Sequence, residues 1–487
     1  MVGVPRTEPV HTKNSAVERM KRTIIIGGGI AGLATAFELC ERGFADFTLV
    51  ESSSRLGGKI SSVEQNGFLM EGGPDSFITQ KKSTLELCQK LGLEDQFIGS
   101  RAGTTYVWSN AQLYPMPEGM MLMAPTMIAP IVRSKLISWP GKLRLALEPF
   151  IPARVEAGDE SLATFVRRRL GAEMLDKIAG PLMGGIHAAD PERLSLHSTF
   201  PMFPDMEKNH GSLTRAMIKA PARGVTPGAK KPPMFLTLRG GLDQLAQAIG
   251  ARLPEHSVRL GVSVVAVHLQ AYGYDVILSD GSVLHAGNIV FATPSYITAD
   301  LVQQLDPLFA SQLRSIRYVS TASVSLGFHR SQIEHPMDGA GFIVPPSEGR
   351  RITACSWSSS KFAHRAPEGS VLLRVFIGGA LAEHLAELPE SDLIQLAREE
   401  LRTIMGITAD PVVSYAAQWH KSTPQYEVGH QKRVAAIEQS AAGLPGIFLA
   451  GNGYHGSGIP DCIVSGQKAA QSILAGFAVS EPALAAS

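Results

Sequence analysis

The chain has few cysteines for its 487 residues, and none lies in a metal-binding or disulfide-forming pattern. Its four cysteines are far apart with no Cys-x-x-Cys pair, and its histidines do not have zinc-protease spacing. These absences argue against a disulfide framework and against a zinc site. We therefore expect no bound metal and a reducing, cytoplasmic compartment.

The sequence also lacks an excess of one charge, because 45 Lys and Arg residues are balanced by 44 Asp and Glu residues. A net charge of +1 gives no overall basic field, so we expect no nucleic-acid partner. With 44% hydrophobic and 18% charged residues, the composition is that of a folded globular protein, not of a disordered chain, collagen or a coiled coil.

Long hydrophobic runs are missing as well. The longest apolar stretch, residues 119–132, is interrupted by Pro125 and Pro130 and is shorter than the ~20 residues that a membrane-spanning helix needs. We expect that it cannot cross a bilayer, although it could lie against one. Residues 1–20 are polar and lack the basic-then-apolar order of a signal peptide, so we expect a flexible tail and no export.

Glycine, in contrast, is abundant, and its pattern near the N-terminus is typical of a dinucleotide site. An apolar run at residues 23–26 leads into G-x-G-x-x-G at Gly27, Gly29 and Gly32, then a helical pattern and a second strand ending at Glu51. The glycines allow a tight turn, close approach of a pyrophosphate to the helix N-terminus, and close helix packing. Because Glu51 can bind a ribose hydroxyl, the unit predicts a bound dinucleotide.

The residues that follow favour FAD over NAD. Residues 51–59 match E-x-x-x-R-x-G-G, an extension found in flavin enzymes of the glutathione-reductase-like and amine-oxidase-like group. Gly57 and Gly58 allow close backbone approach, and Arg55 and Lys59 can neutralise phosphate.

Two distant segments fit the same cofactor. Residues 239–242 precede a helix and a set of strands that includes Val264, and residues 446–461 form a strand, a glycine-rich loop and the start of a helix. Both patterns are compatible with backbone contacts to a nucleotide or a flavin ring. The FAD-binding domain is therefore expected to be discontinuous.

The predicted fold is α/β, or α+β overall, with a Rossmann-type FAD-binding domain, a mixed-sheet substrate domain and a helical insertion. We expect the FAD-binding domain at residues 21–98, 234–296 and 436–487. The substrate domain is expected at 99–115 and 297–435, and the helical insertion at 116–233.

Over residues 20 to about 475 the chain resembles the protoporphyrinogen oxidase family, most closely its bacterial, oxygen-dependent branch. The matching stretches are residues 71–77, 181–191 with 194–195 and 200–201, and 451–462. The resemblance implies oxidation of protoporphyrinogen IX to protoporphyrin IX in heme biosynthesis, with six electrons lost over three flavin cycles. Dioxygen would reoxidise the flavin to give hydrogen peroxide. No motif assigns a general base, so the catalytic side chains are left unassigned.

The resemblance also implies which positions contact FAD and substrate. The FAD positions are Gly27, Gly28, Gly29, Gly32, Glu51, Ser52, Arg55, Gly57, Gly58, Lys59, Gly73, Pro74, Asp75, Ser76, Val264, Trp419, Gly451, Asn452, Gly456, Ser457, Gly458 and Ile459. The substrate-pocket positions are Gly185, Ile343 and Trp357. Without the family, Ile343 and Trp357 would be interpreted as ordinary core and Trp419 as a packed aromatic.

One departure from the family bears on the substrate. Eukaryotic members place a propionate-binding arginine before the strand at residues 106–108, where this chain has Gly103, Thr104 and Thr105. Some bacterial members prefer coproporphyrinogen III, which carries four propionates instead of two. Coproporphyrinogen III oxidation by the same mechanism is therefore the alternative prediction.

The helical insertion corresponds to the family's membrane-associating domain. The apolar stretch is followed by Arg133, Lys135, Trp139 and Lys142, which favours peripheral attachment to anionic lipid, here the inner face of the cell membrane. A buried core helix with a solvated basic face is the alternative. A second copy of the chain and the next enzyme of the heme pathway are further expected partners.

Three other functions fit the sequence less well. A flavin amine oxidase shares the FAD framework, but that group generally holds a lysine near the flavin, and this chain has none between Lys231 and Lys361. A carotenoid desaturase does not match residues 181–190 or 452–462. A non-catalytic dinucleotide-binding protein is disfavoured because the FAD motifs are intact in all three segments.

Overall fold

The computed structural model describes residues 22–101, 103–156, 158–219 and 233–484. The predicted tail, residues 1–20, lies outside the described residues, as do residues 220–232 of the predicted helical insertion. Helices and mixed sheets confirm the predicted α/β class.

A parallel five-stranded sheet underlies the Rossmann-type part. Its strands, in spatial order, are Val258–Leu260, Phe47–Glu51, Thr23–Ile26, Asn288–Phe291 and Ile447–Leu449. The central strand is buried along its whole length, as expected of a parallel sheet covered on both faces. The sheet therefore draws strands from three widely separated parts of the sequence.

The N-terminal helix Ile30–Glu41 packs against the C-terminal helix Ile459–Leu484 on one side of this sheet. The two helices approach closely at Gly466, where an added Cβ would lie 2.1 Å from the Ala31 carbonyl oxygen. Thr35 donates a hydrogen bond to the Gly466 carbonyl at 3.1 Å. Gly466 is thus needed for the packing that brings the last helix to the cofactor strands.

Smaller elements surround this sheet. The strands are Ser62–Gln65 with Phe68–Glu71; Phe77–Ile78, Phe235–Leu238 and Phe97–Gly99; and Val264–Gln270, Gly273–Leu278 and Val283–Ala286. The helices are Ser83–Lys90, Asp243–Gly250, Ser295–Val302, Pro307–Arg314 and His430–Ala442, with short 3₁₀ turns at Glu94–Gln96 and Glu255–Ser257.

A seven-stranded mixed sheet forms the second layer. Its strands, in spatial order, are Val413–Pro424, Tyr318–His329, Ser370–Gly378, Ala354–Ser356, Gly339–Ile343, Thr104–Ser109 and Gln112–Pro115. The pair Gly339–Ile343 and Thr104–Ser109 is parallel, and the other neighbours are antiparallel. The amphipathic helix Glu390–Met405 buries Leu393, Leu396 and Leu401 in the core cluster of this sheet. Short turns lie at Arg330–Gln332, Pro346–Glu348, Ser358–Lys361 and Glu383–Glu387.

The helical insertion forms a third layer with its own core. Its elements are Met120–Met121, Ala124–Pro125, Ile128–Arg133, Trp139–Ala146, Glu148–Phe150, Leu162–Arg169, Ala172–Met174, a π turn at Leu175–Ala179, Gly180–His187, Leu196–Thr199, Met202–His210 and Leu213–Lys219. The buried ion pair of Arg169 with Glu148 joins its helices, and Ser212 donates to the same carboxylate at 2.5 Å. Of the apolar stretch, Met123 and Ile131 are buried whereas Ile128 is 72% exposed.

Candidate active site

A cavity of about 900 Å³ lies where the three layers meet. This volume is at the upper end of the range for small-molecule sites, ~300–1,000 Å³. One end of the cavity borders the carboxyl ends of the parallel strands, and the other borders the helix Gly180–His187 and the seven-stranded sheet. The carboxyl end of a parallel sheet is the usual place for a bound nucleotide.

The glycines of the first turn have different structural roles. Gly27 has φ +109°, and a Cβ on Gly32 would lie 2.0 Å from the Gly27 carbonyl oxygen, so both are required by the backbone itself. Gly29 has φ −70°, and a Cβ there would meet no atom within 4 Å. Gly29 also starts the helix Ile30–Glu41 without a side-chain cap, which leaves helical N–H groups for an anion.

Glu51 lies beside this turn and lines the cavity. Its Oε2 accepts the Gly28 N–H at 2.7 Å, and its Oε1 accepts the Ser53 N–H at 2.8 Å. The carboxylate is therefore fixed at the cavity edge and retains lone pairs for a ribose hydroxyl. Ser52 lines the cavity next to it.

The second glycine turn brings a half-buried cation, Lys59, to the same end. Gly57 and Gly58 line the cavity, and Arg55 fixes their turn by donating to the Gly58 carbonyl at 2.7 Å and the Ile60 carbonyl at 2.9 Å. Arg55 itself does not line the cavity. Lys59 does, and it donates to the Ser422 carbonyl. Burial lowers the pKa of Lys59 to about 8.

A buried charge network supports the turn at residues 72–76. Arg374 donates to the Gly73 carbonyl at 2.7 Å, and Trp419 Nε1 donates to the Gly72 carbonyl at 2.7 Å. Asp75 is paired with Lys361 at 2.9 Å. Burial raises the pKa of Asp75, but the cations of Lys361 and Arg374 outweigh that effect and lower it to about 2. Asp75 thus anchors the turn from behind, while Gly73, Pro74, Ser76 and Trp419 face the cavity.

The remaining predicted positions also divide into residues that line the cavity and residues that lie behind its wall. Val264, Gly451, Asn452, Ser457, Gly458 and Ile459 line the cavity with the residues above, whereas Gly28, Gly32 and Gly456 lie behind its wall. Of the predicted pocket positions, Gly185 lines the cavity, and a Cβ there would meet nothing within 4 Å. Ile343 and Trp357 do not line it, and Trp357 is fully buried in the core of the seven-stranded sheet.

Several lining residues were not among the predicted site positions. At the end away from the Rossmann sheet these include Ile186, Ala188, Val344, Phe376, Gly379 and Leu381. The adjacent Gly378 and Gly379 have φ +93° and +79°, so a Gly-Gly pair ending an apolar strand was a usable signal for a chain reversal at a site. Buried Arg374 was also missed, because a single arginine within a strand has no signature.

Ionisable groups are sparse on the cavity wall. Among the described lining residues, the charged side chains are Glu51, Lys59 and Arg374, and the last is engaged by the turn carbonyls. Burial raises the pKa of the Cys462 thiol to about 12, which keeps it neutral. In the described part of the chain, no group of three His, Cys, Asp or Glu side chains is placed to hold a metal ion.

These features fit a dinucleotide at the Rossmann end: open space at Gly29, an uncapped helix N-terminus, a fixed carboxylate and a half-buried lysine. The family of flavin containing amine oxidoreductases matches residues 30–474. The chain belongs to this family. It is accordingly a flavin-dependent oxidoreductase.

Individual relatives within this family are named porphyrinogen oxidases. A coproporphyrinogen III oxidase of Bacillus subtilis is 38% identical over 462 residues, which cover 93% of this chain and 98% of that protein. Protoporphyrinogen oxidase 2 of Arabidopsis thaliana is 28% identical over 485 residues, 93% of this chain and 94% of the relative. The predicted kinship with the porphyrinogen oxidases is confirmed.

Solved structures agree with this fold. A protein of Exiguobacterium sp. 255-15, provisionally named a protoporphyrinogen oxidase, superposes with a TM-score of 0.84 at 30% identity, covering 93% of this chain and 98% of that one. A putrescine oxidase reaches a TM-score of 0.66 at 17% identity, with 93% and 99% covered, which shows a shared fold only.

Proposed function

We propose that this protein is an FAD-dependent coproporphyrinogen III oxidase that forms coproporphyrin III and passes electrons to dioxygen, with release of hydrogen peroxide. The observation that carries the proposal is one cavity joining a dinucleotide-fitting end to an apolar end. Three bacterial relatives at 33–38% identity are named coproporphyrinogen III oxidase, whereas the plant relatives named protoporphyrinogen oxidase are 25–29% identical. Protoporphyrinogen IX, the substrate favoured by sequence alone, becomes the second candidate.

FAD, when bound, supplies the hydride acceptor for the reaction. The chain would hold its pyrophosphate at Gly29 and the helix N-terminus, with Lys59 as the counter-ion, and its ribose at Glu51. The adenosine-directed groups favour FAD over a shorter flavin. The turn at residues 72–76 and Trp419 would position the ring system.

The apolar end suits the tetrapyrrole. Ile186, Val344 and Phe376 offer apolar surface, and Gly185 leaves room for a flat ring to approach. Charged carboxylates are costly to bury without partners. Since the described lining offers no free cation at this end, the propionates of the substrate would point toward the mouth and solvent.

Parallel aerobic assays with coproporphyrinogen III and protoporphyrinogen IX test the proposal. We expect porphyrin fluorescence and peroxide to rise with both and faster with coproporphyrinogen III. Faster turnover of protoporphyrinogen IX would make it the favoured substrate in place of coproporphyrinogen III. No porphyrin from either, with FAD bound, would overturn the function.

We also propose peripheral attachment of the helical insertion to anionic lipid. Trp139 and Phe150 are 66% and 77% exposed, and Lys142 Nζ lies 4.6 Å from the centre of the Trp139 ring. Apolar and basic groups side by side are typical of interfacial segments. No helix in the described ranges has the length and hydrophobicity to cross a bilayer.

Liposome flotation at low salt tests the attachment. Trp139→Glu should weaken binding to anionic vesicles, whereas Val283→Glu, at an exposed apolar position of a strand outside the helical insertion, should not. Absence of binding by the unaltered protein would contradict the proposal.

A further inference from the structure

The loop between the last parallel strand and the C-terminal helix is held by two aromatic side chains from a different part of the chain. Tyr426 and His430 stack with ring centres 4.0 Å apart and planes 14° from parallel. Both are almost fully buried, at 3% and 1% exposure. Neither lines the cavity, and neither was singled out by the sequence.

The Tyr426 hydroxyl makes two hydrogen bonds to this loop. It donates to the Asn452 carbonyl at 2.6 Å and accepts the Gly456 N–H at 2.8 Å. Burial raises the pKa of Tyr426, so the phenol keeps the proton it donates. One oxygen therefore pins both ends of a short segment whose neighbours Gly451, Ser457 and Gly458 line the cavity.

His430 adds a third attachment. Its Nε2 lies 3.0 Å from the Tyr454 carbonyl. Because a carbonyl only accepts, Nε2 must carry the proton. Burial lowers the pKa of His430 to about 4, so the ring is neutral at physiological pH. The loop backbone is thus fixed at residues 452, 454 and 456 by one stacked pair.

The segment that carries this pair is also tied to the helical insertion. The Tyr426 carbonyl accepts the Ser195 N–H at 2.7 Å, and the Val428 N–H donates to the Arg193 carbonyl at 2.9 Å. Asp159 accepts the Gly429 N–H at 2.9 Å. Tyr426 therefore contacts the loop through its side chain and the substrate-side layer through its backbone.

We propose that Tyr426 is a positioning residue, which holds the loop at residues 451–458 in the place where it contacts the flavin. The inference rests on the proposed FAD binding. The Tyr426 hydroxyl donates one hydrogen bond to the loop and accepts another, which restricts the loop more than packing alone would. Removing the oxygen would leave the Asn452 carbonyl and the Gly456 N–H without this partner.

Tyr426→Phe tests this, because it keeps the stack and removes the oxygen. We expect the apoprotein to bind FAD ~10-fold more weakly, with an altered visible flavin spectrum and faster hydrogen exchange in residues 451–458. Tyr274→Phe is the matched control: Tyr274 is 2% exposed and donates to the Pro445 carbonyl at 2.7 Å, which lies outside the loop at residues 451–458. It should leave FAD affinity and spectrum unchanged.

His430→Gln is a second variant, in case Tyr426→Phe does not fold. It removes the stacked ring while an amide N–H can still reach the Tyr454 carbonyl, and we expect ~3-fold weaker FAD binding. Unaltered affinity and spectrum in the folded variants would overturn the inference. Failure of the unaltered apoprotein to bind FAD would instead overturn the proposed function.

Discussion

The two ends of the cavity are built from different parts of the polypeptide. At the Rossmann end, backbone groups and a few fixed polar side chains form the wall, at Gly29, Glu51, Lys59 and the turn at residues 72–76. At the other end, apolar side chains and a bare helix surface form it, as at Gly185 and Phe376. A charged, flexible ligand needs donors in fixed places, whereas a flat apolar ring needs mainly shape.

A pair of glycines makes this contrast testable. Gly29 and Gly185 both line the cavity, and a Cβ on either would meet no protein atom within 4 Å. Side chains added at these positions should therefore block different ligands without disturbing the fold.

The largest effect is expected from Gly29→Val. The new side chain would occupy the space assigned to the pyrophosphate, and losing two or three charge-assisted hydrogen bonds should weaken FAD binding on the order of 1,000-fold. Titration of the apoprotein with FAD measures this. Since φ at Gly29 is −70°, thermal unfolding of the apoprotein should hardly change. FAD affinity equal to that of the unaltered protein would refute the cradle.

Asp75→Asn examines whether the charge network supports the Rossmann end. It leaves Lys361 without its paired carboxylate and removes one of two carboxylates near Arg374, so we expect a loss of ~3 kcal/mol in unfolding free energy. Asp280→Asn, in an exposed turn, should change stability much less.

The pKa of Asp75 also predicts how the stability of the unaltered protein depends on pH. That pKa is about 2 in the folded protein and ~3.9 in the unfolded chain. The stabilisation is therefore complete above pH ~4 and is lost as the pH falls toward 2. Urea unfolding from pH 5 to 2 should show this acid-dependent loss in the unaltered protein and a smaller one in Asp75→Asn. Identical pH profiles would contradict the assignment.

Gly185→Leu addresses the apolar end. Leucine favours a helix more than glycine does, so the fold should tolerate it. The side chain would occupy ring space and lower kcat/KM for coproporphyrinogen III by roughly 30-fold. FAD affinity should stay unchanged. Gly476→Leu, on the C-terminal helix away from the cavity, is the control. If Gly185→Leu weakened FAD binding but left kcat/KM for coproporphyrinogen III unchanged at saturating FAD, the two ends would have to be exchanged.

The smallest effect is expected from Lys59. With a pKa of about 8 in the apoprotein, its ammonium is present below that pH and is lost as the pH rises through it. FAD affinity should therefore fall above pH ~8. Lys59→Met should bind FAD ~10-fold more weakly at pH 7 and lose this pH dependence. Lys90→Met, an exposed lysine paired with Glu41, should keep it.

The same contrast explains what the sequence could predict. Backbone contacts require glycines at fixed spacing, so Gly27, Gly29 and the acid Glu51 were recognisable from their pattern. The pattern could not separate lining residues from supporting ones: Arg55 holds a turn and Asp75 anchors another from behind the wall.

The apolar end left little pattern to find. Phe376 lies in the strand Ser370–Gly378 and Leu381 just after it, and both reach the cavity because of where that strand ends, which depends on tertiary packing. Trp357 is fully buried, consistent with the ordinary core interpretation that its sequence context allowed. Tyr426 acts through backbone atoms far away in sequence, and a single tyrosine gives no signal of that.

Anaerobic mixing of the FAD-loaded protein with coproporphyrinogen III tests most directly whether both ligands share one cavity. We predict loss of the oxidised flavin absorbance without dioxygen, its return when dioxygen is admitted, and slower loss in Gly185→Leu. Flavin that stays oxidised in the presence of excess coproporphyrinogen III would contradict it.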